Sequence, residues 1–89
     1  MGETRLNLLS LEMDDLLRLF VSVASAKALA YLGESPEEEA RRDLEKARLA
    51  IDTTIALVGL LAPRVEEGEG TQLRQMVAGL QFAYARAAK

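Results

Sequence analysis

The sequence predicts an all-α protein, a long helical hairpin plus a shorter third helix, assembled as an oligomeric helix bundle. Leucine and alanine supply 30 of the 89 residues, whereas valine and isoleucine number only 5 and 2, a balance that favours helix over strand. Apolar residues recur at helical spacing in three segments punctuated by glycine and proline. The chain is 49% hydrophobic, yet a domain this short buries only about 60–65% of its unfolded surface. A second copy supplying apolar cover is therefore expected. The reading is one helical domain over residues 1–89, with residues 1–10 as a flexible arm.

The first helix is expected over residues 11–32. Ser10 is the N-cap candidate, Glu12, Asp14 and Asp15 suit the positive end of the helix dipole, and Gly33 supplies the stop. Its polar residues, Asp15, Arg18, Ser22 and Ser25, form one narrow face, so the helix needs cover on more than one side. The second helix is expected over residues 36–62. Ser35 caps it, Pro36 takes the first helical position and Glu38 closes a capping box. Ala40, Leu44, Ala47, Ile51, Thr54, Val58 and Leu61 then form a heptad seam that wants a long neighbouring helix. Pro63 ends regular helix near Ala62. Residues 64–70 read as an acidic, glycine-containing loop, and Thr71 caps a third helix over residues 71–88. Its face is Leu73, Met76 or Val77, Leu80, Tyr84 and Ala87, and Gly79 suggests close helix approach.

Charge is unevenly spread along the second helix. Ten of the sixteen residues from Glu37 to Asp52 are charged, with i,i+4 pairs such as Glu37–Arg41 and Glu38–Arg42, whereas none of the eleven from Thr53 to Pro63 is. The run TTIALVGLLAP has no face for water. With the small-residue repeats of the first helix (Ser22, Ala26, Ala30; Ala24, Ala28), it points to a homo-oligomer, most simply a symmetric dimer. The expected interface residues are Phe20, Ala24, Ala28, Ile51, Ile55, Val58 and Leu61. The alternative is a regulatory or adaptor module that presents the 53–62 surface to a different protein.

Composition removes many chemistries. With no cysteine and no histidine there is no disulfide framework, histidine-based triad or zinc finger. A net charge of −3 and a pI near 4.9 disfavour nucleic acid and anionic membrane surfaces. Arg18 and Lys27 interrupt the apolar stretch 16–32, which is too short to span a bilayer. The opening MGETRLNLLS lacks the order of a secretory leader. A cytoplasmic protein that is not an enzyme and needs no cofactor is expected. Eight arginines against three lysines, with one asparagine and three glutamines, agree with a thermophilic source, and genome base composition explains them as well.

Asp52 stands where the surroundings turn apolar. It reads as a structural polar residue together with Arg48 and Tyr84: an i,i+4 partner for Arg48, or an acceptor for Lys27, Arg86 or the Tyr84 hydroxyl. The sharper reading, a buried acid of raised pKa, lacks a constellation around it. Glu66, Glu67 and Glu69 read as a solvated acidic turn rather than a metal loop. Phe20, Tyr31, Phe82 and Tyr84 read as core anchors.

Three stretches, ASAKALAYLG (24–33), DLEKARLAIDT (43–53) and LQFAY (80–84), taken in order, resemble a small bacterial family, the domain-of-unknown-function 1844 family. Leu29, Leu32 and Gly33 match its first motif; Ala47, Ile51 and Asp52 match the second; Leu80 and Tyr84 match the third. The resemblance runs from about Leu16 to Tyr84. It departs after Asp52, where the family usually carries a polar, lysine-rich turn and this chain has the apolar run ending in Pro63. The resemblance implies a helical protein of unknown activity, with no catalytic residues to carry over.

Overall fold

In the computed structural model, which describes residues 7–34 and 42–89, three helices follow one another. They are α1 (Met13–Tyr31), α2 (Leu44–Leu61) and α3 (Glu67–Ala87), with a 3-10 turn at Ala62–Arg64 before the last. No strand occurs among the described residues, and the protein is all-α. The expected capping box at Ser35, Pro36 and Glu38, its flanking ion pairs, Ala40 and residues 1–6 of the expected arm lie outside the described residues.

The start of α1 differs from expectation. Residues 7–9 are already helical, and the Ser10 hydroxyl donates to the Asn7 carbonyl at 2.7 Å, closing a turn instead of capping α1. Glu12, in extended conformation, takes the N-cap position, and Asp14 and Asp15 fill the first turn. The other end follows the sequence signal. Gly33 has φ +79°, its N–H donates to the Ala30 carbonyl, and the Glu34 N–H reaches back to the Leu29 carbonyl. That is a Schellman closure, which a residue with a β-carbon adopts only at a cost.

α2 begins at Leu44 because Asp43 is extended (φ −144°, ψ 95°) and its carboxylate accepts from the Lys46 N–H at 3.1 Å. The Asp43 N–H meanwhile donates to the Tyr31 carbonyl at 2.7 Å, tying the start of α2 to the end of α1. Regular helix ends at Leu61, two residues before Pro63, as the missing donor requires. The third helix is the longest, 21 residues, not the shortest. The expected 64–70 loop is mostly its first turn. Glu66 sits at the N-cap, Glu67 and Glu69 suit the positive helix end, and Gly70 lies buried against the Ala62 carbonyl. The close approach expected at Gly79 is absent, since a β-carbon there would meet nothing within 4 Å.

α1 and α2 pack antiparallel. Leu17 and Val21 meet Val58, Leu61 and Ala62 in one buried cluster. Ala28, Leu32, Ala47, Ala50 and Ile51 form a second, which Leu80 and Ala83 of α3 complete. Thr54 is fully buried, and its hydroxyl is satisfied by donating to the Ala50 carbonyl at 2.8 Å. The heptad seam of α2 is thus real from Ala47 to Leu61, and it is filled from within the chain. α3 runs along the other flank of α2 and meets α1 at both ends, through Glu69 with Arg18 near its start and Leu80 and Ala83 beside Ala28 and Leu32 farther on.

Candidate functional site

The helical hairpin has one covered side and one open side. On α2, Ile51, Ile55, Val58 and Gly59 border the grooves toward α3. Leu49, Thr53, Ala56 and Leu60 point away from it, spaced 4, 3 and 4, and all are exposed. On α1, Met13, Leu16, Phe20 and Val23 follow the same kind of spacing, with Leu16 half-buried and the others open. Met13 is 59% exposed, Phe20 43%, Val23 55%, Leu49 68% and Leu60 62%. A shallow groove of about 360 Å³, lined by Ala24, Lys27, Tyr31, Lys46, Leu49 and Thr53, joins the two stripes at the loop end of the hairpin.

Charge is confined to the ends of this open face. Lys27 and Lys46 rim the groove, the Lys27 ammonium lying 4.6 Å from the centre of the Tyr31 ring. Glu12 is exposed at the opposite end. Arg18 lies on the side of α1 toward α3, where it holds Glu69 and Asp15. The central part of the face is therefore apolar.

The expected interface divides on this geometry. Ala28 and Leu61 are fully buried, and Ile51 and Val58 nearly so. All four belong to the intramolecular core and are not free to meet a partner, a correction to the sequence reading. Ile55 is half-buried, packed beside α3 on the cluster that contains Ile51 and Leu80. Phe20 and Ala24 do lie on the open side. The sequence reading missed Met13, Val23, Leu49 and Leu60. The signal for the last two was present as a second stripe, 49–53–56–60, offset by one or two positions from the seam 51–54–58–61. One helix carrying two apolar stripes has two neighbours to satisfy.

The structural polar residues come together without pairing. Arg48, Asp52, Gln81 and Tyr84 line a cavity of about 240 Å³ between α2 and α3. Asp52 and Arg48 are both exposed and Tyr84 is half-buried. Among the described residues no ion pair joins Arg48 to Asp52. Two other expected donors are engaged elsewhere, Lys27 with Tyr31 and Arg86 with Glu34 at 3.8 Å and the Phe82 ring. Phe82 itself is 65% exposed, so it anchors no core. Nor is the acidic turn wholly solvated, because Arg18 donates to both Glu69 oxygens, at 2.8 and 3.1 Å. That hydrogen bond, with the nearby positive charge, holds the Glu69 carboxyl below its ordinary range against a smaller opposing effect of desolvation. No three Asp or Glu side chains among the described residues converge as a metal site, and no described helix is long and apolar enough to cross a membrane.

A helical hairpin with one flank covered by a third helix, and an open apolar face on the other, makes this a small all-α protein. The chain belongs to the family described as domain of unknown function (DUF1844), whose model matches residues 14–86. Comparison with curated proteins gives no match, and neither does comparison with solved structures.

Proposed function

We propose that this is a non-catalytic, self-associating helical protein of the bacterial cytoplasm, in which the open face of α1 and α2 pairs with the same face of a second copy. One observation carries the reading. Met13, Phe20, Val23, Leu49 and Leu60, each more than 40% exposed, line one side with no charge in the middle. Scattered apolar residues are normal on a surface, but a contiguous patch rimmed by charge marks an interaction site. α3 covers only the opposite flank, so a second hairpin would supply the missing layer and complete a four-helix core. The acidic balance, −3 overall, gives nucleic acid and anionic membranes no part in this reading, and the arrangement calls for no cofactor.

Light scattering on the purified chain is expected to give a mass near twice 9.7 kDa. Leu49→Glu combined with Leu60→Glu should return a monomer with an unchanged helical circular dichroism spectrum. A wild-type chain that stays monomeric and fully folded at about 100 μM would overturn the proposal. A second reading, an adaptor, has the exposed part of residues 53–62, with Leu60 at its centre, docking a different protein. A stoichiometric partner that co-purifies with wild type and is lost in Leu60→Glu would select it.

A further inference from the structure

No further inference is drawn: the strongest candidate, the open apolar face of α1 and α2 around Phe20, Leu49 and Leu60, already carries the proposed function, and nothing in the structure shows what covers it or in which direction.

Discussion

Arg18 grips both carboxylate oxygens of Glu69, Nε to Oε2 at 2.8 Å and a terminal nitrogen to Oε1 at 3.1 Å, across 51 positions of sequence. A parallel tie joins Arg64 to Asp14. Together they fasten the start of α1 to the corner between α2 and α3, beside the cluster in which Leu73, Met76 and Val77 pack with Leu17 and Val21. Both pairs are exposed, so their part is to orient α3 more than to stabilise the chain.

The Glu69 tie has a pH signature. The folded carboxyl sits below its ordinary value of 4.5, chiefly through the Arg18 hydrogen bond. A depressed folded pKa contributes stability that is fully present above the unfolded value and is lost as pH falls through the folded one. Wild type should therefore exceed Glu69→Gln in stability at neutral pH, and the difference should shrink as pH falls below about 4.5. Urea unfolding across that range measures it; a difference that does not vary with pH would refute the assignment.

Leu60 and Leu61 are neighbours with opposite environments, 62% and 0% exposed. Leu61→Ala should cost about 3–5 kcal/mol, through lost burial and the cavity left behind. Leu60→Ala should stay within about 0.5 kcal/mol when unfolding is measured on dilute protein, while weakening self-association at higher concentration. Equal losses from the two substitutions would mean that the open face is misassigned.

Two glycines should answer the same substitution with opposite signs. Gly33, at φ +79°, should lose about 1 kcal/mol as Ala, because left-handed backbone crowds a β-carbon. Gly79 lies within α3 with open space around it, so Gly79→Ala should gain about 0.5–1 kcal/mol. In a domain of this size that raises Tm by a few degrees, which differential scanning calorimetry resolves.

Much of the fold was legible because its signals are local. Gly33, Pro63 and the Ala47–Leu61 seam act through backbone conformation and helical periodicity within a few residues, and each lies where its signal places it. The starts of α1, α2 and α3 were not legible. Asp43 caps α2 with its carboxylate while its extended backbone pairs with Tyr31, twelve positions back. Glu69 lies in the first turn of α3 and pairs with an arginine 51 residues away. Neither partner is visible in a local window.

The candidate site shows the same division. Composition and periodicity established an aliphatic helical chain with more apolar surface than one short hairpin hides, and the resemblance in its motifs matched its family. They could not say whether the 51–54–58–61 seam is filled from within the chain or by a second copy, because 49–53–56–60 is also apolar and also helical in period. That choice belongs to the tertiary structure. Once α1 and α3 occupy the flanks around Ile51, Val58 and Leu61, the three helices have no further surface to offer, and Leu49 and Leu60 are left facing out.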